Sequence, residues 1–299
     1  MKIFYCDHFV LPLPEGHRFP MSKYAQLRDQ VVKHNLIPPQ DLCVPKAASD
    51  EQLRRSHDQT YVDKIKSGNL TKQEVRRMGF PWSIELVARS RRSVGGTIAA
   101  SRAALTDGCG VNLAGGTHHA GREHGEGFCV FNDSAVAAKA MQAEGRAKRV
   151  IIIDCDVHQG NGTAAILKDD PTVFTFSIHG EKNFPFRKHP SDLDVGLVDG
   201  TRDLEYLDAL DHHLRQAMDF AESDFAIYLA GADPFEGDRL GRLAISMSGL
   251  LERDRIVLEM CQQRGIPTAI VMAGGYAVPV EDTVAVHFQT VKLAAEMHA

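Results

Sequence analysis

The chain has 299 residues, 43% of them hydrophobic, with 34 Lys and Arg against 39 Asp and Glu for a net charge of -5. That length supports one large α/β domain with a sizeable core, and the absence of a global basic footprint argues against direct nucleic-acid binding. No apolar run approaches the roughly 20 residues that cross a bilayer, the opening MKIFYCDHF lacks the apolar stretch of a secretory signal, and six cysteines without a CxxC pair read as reduced and buried. A cytoplasmic protein without membrane contact is expected.

In chain order, the run KIFYC (2–6) predicts a first strand. Residues 7–80 show no clear period, carry Pro and Gly early in LPLPEGHRFP, and are expected to wrap the core. A helix over 84–106, a strand at GVNLA (110–114) and a helix over 134–144 follow. Strands are predicted at RVIIID (149–154) and TVFTFSI (172–178), and segment 179–203 reads as a long loop. Leu204, Leu207, Leu210, Leu214 and Met218 recur at helical spacing and predict a helix over 204–221. Then come FAIYLA (225–230), a helix over 247–264, TAIVMA (268–273) and a helix over 281–298. The strand candidates are short, continuous and rich in β-branched residues, as strands buried on both faces are. Their alternation with helices predicts an α/β fold: a single-domain, open parallel sheet flanked by helices, spanning 1–299.

Ligands of open parallel sheets bind beyond the carboxyl ends of the strands. Five strand candidates here run into GGTHHA, DCDVHQGNG, SIHG, GADPFEGD and GGYA, which deliver His, Asp and Tyr to that edge. Asp154, Asp156 and His158 alternate at one strand end, so a period of two puts them on one side. With Asp233 from GAD, the set Asp156, His158 and Asp233 has the three protein ligands of a catalytic metal site and leaves a fourth position open. Zinc is the ion this set favours, with Fe(II) as the alternative.

The tandem His118 and His119 sit on a glycine-rich turn after a strand. A metal-activated water attacking a carbonyl needs a base, and the departing amine needs an acid. Two imidazoles share those tasks, oriented by Asp154 and Asn161. The phenol of Tyr276 is suited to donate to the oxyanion that forms. The second pair, His212 and His213 in LDHHLRQ, lacks a strand end and a glycine loop and reads as solvated.

At GGTHHA, GEGFCVFNDSAVAA, IIIDCDVHQGNGTA, LAGADPFEGDRLGRLAIS and MAGGYA, in that order, the sequence resembles the histone deacetylase family of the arginase–deacetylase fold. The resemblance covers most of the chain, and EGHRFPMSKY, MGFPWS and NFPFRKHPSDLDVGLVDGT look most like the class IV and bacterial branch. It implies that Asp156, His158 and Asp233 bind one zinc ion, that His118, His119 and Tyr276 are catalytic, and that Asp154 backs the first histidine. It further implies a structural potassium near Asp154, Asp156, His158 and Ser177, tunnel walls from Gly127, Phe128 and Phe184, and an inner-channel role for Arg18. The substrate implied is an acylated lysine of a protein, acetyl or longer fatty acyl, or else a small acylated amine such as an acetylpolyamine.

Polyamine-selective relatives place an acid shortly after the last metal ligand, where this chain has Leu240 with Glu236 close by. That favours acyl-lysine. A non-catalytic acyl-lysine module would lack Tyr276 or His119, and a dinuclear ureohydrolase needs bridging carboxylates that Asp238 alone does not supply. Two positions depart from many relatives: Asn161 stands for Asp, and Arg202 for Gly. The first predicts a lower pKa for His119, because an amide cannot stabilise an imidazolium as a carboxylate does.

Overall fold

Val150–Asp154 is VIIID, and all five residues are buried. A β-branched run with no face for water takes the middle of a covered sheet. In the computed structural model, which describes residues 1–298, this run is β4 of an eight-stranded sheet. The strands are β1 (Lys2–Phe4), β2 (Leu42–Cys43), β3 (Cys109–Asn112), β4, β5 (Val173–Gly180), β6 (Leu193–Leu197), β7 (Phe225–Leu229) and β8 (Thr268–Val271). Their order is β2-β1-β3-β8-β7-β4-β5-β6, and every pairing is parallel. The helices are α1 (Ser22–Lys33), α2 (Asp50–Arg54), α3 (Gln59–Ser67), α4 (Lys72–Met78), α5 (Ile84–Asp107), α6 (Asp133–Ala143), α7 (Asn161–Leu167), α8 (Asp203–Ala221), α9 (Met247–Gln263) and α10 (Val280–Met297).

The sheet separates two cores. Ile151, Ile153, Cys155 and Val157 join α1, α8, α9 and α10 on one face. Val150 and Ile152 join α3, α5 and α6 on the other. The alternation thus persists past the last hydrogen-bonded residue of β4. Cys155 and Val157 stay in the core while Asp154, Asp156 and His158 take the opposite parity and emerge together at the sheet's carboxyl edge.

One expectation needs correction. Segment 179–203 is not one long loop: β5 runs on to Gly180, and Leu193–Leu197 pairs with it as the edge strand β6. Its half-exposed alternation reads weakly in sequence because an edge strand has only one face to bury. Residues 7–80 do wrap the core, and they contain four short helices of 5 to 12 residues. Among the described residues, no helix is long and apolar enough to cross a membrane.

Candidate active site

The loop from Gly115 to Gly121 follows β3 and is gripped by the start of α6. Asp133 accepts the N–H groups of Gly116 and Thr117 at 3.0 and 2.7 Å. Asn132 caps α6 by accepting from Ala135 N, and its amide donates to the carbonyls of His118 and Ala120 at 3.3 and 3.1 Å. The buried His57 accepts the Asn132 N–H on Nε2 and faces Gly121 O with Nδ1, both at 2.9 Å, which sets its neutral tautomer. Burial also lowers its pKa, to about 4. The FCVFND stretch is therefore the clamp on the histidine loop. Gly116 has φ of 75°, and a Cβ there would overlap Ala273.

So held, the two histidines diverge to different partners. His118 Nδ1 lies 2.6 Å from Asp154 Oδ2, and His119 Nδ1 lies 2.7 Å from Asn161 Oδ1. Each Nδ1 faces an oxygen acceptor, which assigns the hydrogen to Nδ1 and leaves Nε2 free. Burial opposes charge on His118, but the Asp154 and Asp156 carboxylates outweigh it and lift its pKa to about 9. His119 goes the other way: burial, then the charges of His118 and His158, hold it well below the ordinary value. One imidazole thus favours keeping a proton and the other favours being without one.

Asp156, His158 and Asp233 are all buried and bring ligand atoms within 4.8 Å of one another. His158 Nδ1 lies 2.9 Å from Asp156 Oδ1 and 3.2 Å from Asp233 Oδ2. Burial works against a charged His158, but the hydrogen bonds and charges of the two carboxylates raise it to about 10. Burial and the charge of Asp156 raise Asp233 to about 7. Beyond that approach of His158, Asp233 Oδ2 makes no hydrogen bond among the described residues. Two desolvated carboxylates, one with an orphaned oxygen, and an imidazole form a set that a divalent cation satisfies. Gly274 closes the cradle: its N–H donates to Asp156 Oδ2 at 2.7 Å, and a Cβ there would overlap the Asp233 carboxylate.

Tyr276 reaches the same place from the loop after β8. Its backbone N–H donates to Asp238 Oδ2 at 2.5 Å, and Asp238 also takes the N–H groups of Leu240 and Gly241. Burial, then the charges of Asp233 and Asp156, raise its phenol well above the ordinary range, so it stays a hydrogen-bond donor. On the other side of that loop, Lys23 is 2% exposed and donates to the carbonyls of Ala273 and Gly275 at 3.2 and 3.4 Å. Lys23 is thus a buried cation that holds the backbone of this loop. Arg18 is exposed and is among the residues lining the cavity.

The cavity holds about 720 Å³ and is lined by His118, His119, Asp156, His158 and Tyr276 at its depth. Phe128 and Phe184 line it as well, with Gly127 and Leu240. The Phe184 ring stands edge-on to His119 at 4.9 Å. A Cβ at Gly127 would press on the rings of His119 and Phe184 at 2.7 and 3.1 Å, so only glycine fits that wall. Phe128 adopts φ of 65°, a strained value for a bulky residue, and its ring packs on Phe19, Phe80 and Tyr276. Ser177 is the register partner of Asp154 across β4 and β5, with its hydroxyl 2.9 Å from His179 Nδ1. Glu236 is exposed and does not line the cavity, Arg202 stands at the start of α8, and His212 lies exposed on α8.

Sequence reasoning missed Lys23, His57, Asn132, Asp133 and the holding role of Asp238. Only the clamp had a signal: NDSA before an alanine-rich run is a helix start.

The family model described as the histone deacetylase domain matches residues 17–291. An uncharacterized protein of Picosynechococcus sp. is 45% identical over 285 residues, covering 95% of each chain. Histone deacetylase 2 of Arabidopsis thaliana is 32% identical, covering 90% of this chain and 72% of that one. The acetoin utilization protein AcuC of Bacillus subtilis is 28% identical over 88% and 74% of the two chains. Among solved structures, a deacetylase homologue complexed with SAHA superposes with a TM-score of 0.84 at 24% identity, over 97% of this chain and 83% of that one, and so shares the fold. From the span of the family model and the likeness to the plant enzyme, the chain belongs to the histone deacetylase family.

Proposed function

We propose that the chain, as one catalytic domain, is a zinc-dependent deacylase that frees the ε-amine of acylated lysine, with Fe(II) as the alternative ion and the cytoplasm as its place of work. The observation that carries this is the buried Asp156–His158–Asp233 set beside two histidines of opposite proton affinity. A divalent cation held there polarises an acyl carbonyl and acidifies water. The chain's own groups supply the rest. His119, kept neutral, accepts the water's proton at Nε2. His118, kept charged by Asp154, supplies a proton to the departing amine. Tyr276 donates a hydrogen bond from its phenol to the oxyanion and keeps its proton. Phe128 and Phe184 flank the alkyl stem, and Leu240 borders the mouth. A structural potassium near Asp154, Asp156, His158 and Ser177 is part of the same reading, with Ser177 the register partner of Asp154. The class IV resemblance keeps long fatty acyl groups within the reading.

The test is turnover of acetyl-, butyryl- and myristoyl-lysine peptides beside acetylated putrescine and spermidine, with and without a chelator. Chelator-sensitive release from the peptides is expected. Turnover confined to polyamines would overturn the lysine assignment, and silence with metal bound would overturn the enzyme.

The Asn161 amide yields a second expectation. A base must be neutral to act, so the acidic limb of the rate profile follows the pKa of His119. In Asn161→Asp the carboxylate stabilises imidazolium, and the limb should move to higher pH by about one unit or more. A profile of kcat/KM against pH that superposes on the wild type would remove His119 from the role of base.

A further inference from the structure

The rim of the cavity has a charge unlike that of the chain. Of 34 Lys and Arg, six line the cavity: Arg18, Arg76, Arg77, Lys182, Arg239 and Arg242. Of 39 Asp and Glu, two do, Glu126 and Asp156. Asp156 belongs to the floor. Glu126 is held by Arg77 at 3.0 Å, with His124 at 3.6 Å. All six cations are exposed, and they come from separate segments: the loop before α1, α4, the turn after β5, and the stretch after Asp233. Arg242 pairs with Asp199 at 3.1 Å, but Arg18, Arg76, Lys182 and Arg239 make no ion pair among the described residues. Glu181, next to Lys182 in sequence, lies instead beside Gly196.

The scissile amide is neutral and gains nothing from this ring in its ground state. Like charges gathered around an apolar-walled cleft focus a positive potential at its mouth. Such a mouth draws in anionic segments and repels lysine-rich tails and polyamines. On the deacylase reading, on which this rests, we infer that the substrate is an acyl-lysine flanked by acidic residues. The exposed Phe186 stands 6.3 Å from Phe184 at the same rim and offers a flank an apolar contact.

Three acyl-lysine peptides identical but for Asp/Glu, Ser or Lys/Arg flanks decide it. Their kcat/KM is measured at ionic strengths of about 0.01 M and 1 M, where the Debye length is about 30 Å and 3 Å. At low salt the acidic peptide should exceed the neutral one by about 10-fold or more, with the basic one lowest, and the order should collapse at high salt. In Arg76→Glu combined with Lys182→Glu, the acidic-to-neutral ratio should fall to about one or invert. Equal values for neutral and acidic peptides, or a ratio unmoved by the double variant, would overturn the inference and leave the deacylase standing. Fluorescence anisotropy of the same peptides separates the two ideas. Salt-sensitive binding of the acidic peptide without turnover of any peptide would keep the anionic partner and sink the deacylase. Absence of any charge preference in binding would sink the inference.

Discussion

Asp233→Ala is expected to lower kcat/KM by at least about three decades. A Lewis acid contributes several kcal/mol to a developing oxyanion, and about 4 kcal/mol corresponds to about three decades in rate. On the proposed reading Asp233 is one of three protein ligands, and its buried Oδ2 has only His158 Nδ1 near it, at 3.2 Å. Its Oδ1 has a lesser task, accepting Val157 N–H at 2.9 Å. Removing the side chain should therefore strip the metal while leaving the fold nearly intact. Metal analysis, far-UV circular dichroism and kinetics on one preparation check this. Retained turnover in protein shown to be metal-free would contradict the assignment of the site.

The largest effect on stability is expected away from the cavity, at Arg253. The residue is fully buried, paired through Nε and Nη2 with Asp254 at 2.9 and 2.8 Å. Its Nη1 donates to Gly231 O at 2.5 Å and to Cys155 O at 3.4 Å. Those carbonyls immediately precede the turns that carry Asp233 and Asp156. Asp254 is in turn bonded by the hydroxyls of Tyr228 and Thr290, each at 2.5 Å. Truncating one partner of a buried pair leaves the other charge uncompensated, a loss of about 3–5 kcal/mol. With an unfolding entropy of about 2.1 cal/mol/K per residue, Arg253→Ala should lower Tm by roughly 5–8 °C. It should weaken metal retention as well, since both ligand turns lose an anchor. A Tm within about 2 °C of the wild type would show that neither the pair nor the two carbonyl bonds carry weight.

Much of the frame was legible because its signals are local. The helices expected over 84–106, 134–144, 204–221, 247–264 and 281–298 begin and end within a residue of α5, α6, α8, α9 and α10. Their apolar faces repeat over several turns. The short helices α2, α3 and α4 and the seven-residue α7 pass too few turns for a period to stand out. The convergence of Asp156, His158 and Asp233 was legible because polar residues at the ends of neighbouring parallel strands meet at one edge of the sheet. Lys23 was not: in SKYAQLRDQ a lysine reads as a solvated helix residue, and only the tertiary approach of the Ala273–Gly275 loop makes it interior. Asp238 and Arg253 escaped for a related reason. They work through backbone groups of distant segments, and a sequence does not announce which carbonyl or amide a side chain will meet.

The clamp on the histidine loop has a consequence for motion. Asn132 caps α6 with one end of its amide and holds the carbonyls on either side of His119 with the other. Asp133, next in the chain, holds the amides just before His118. An opening that frees the tandem histidines must uncap a helix whose residues Ala135 to Ala138 lie wholly in the core. Its hydrogen bonds tie the loop to the helix and leave it little to break independently. Its amides are therefore expected to exchange together with those of the core helix.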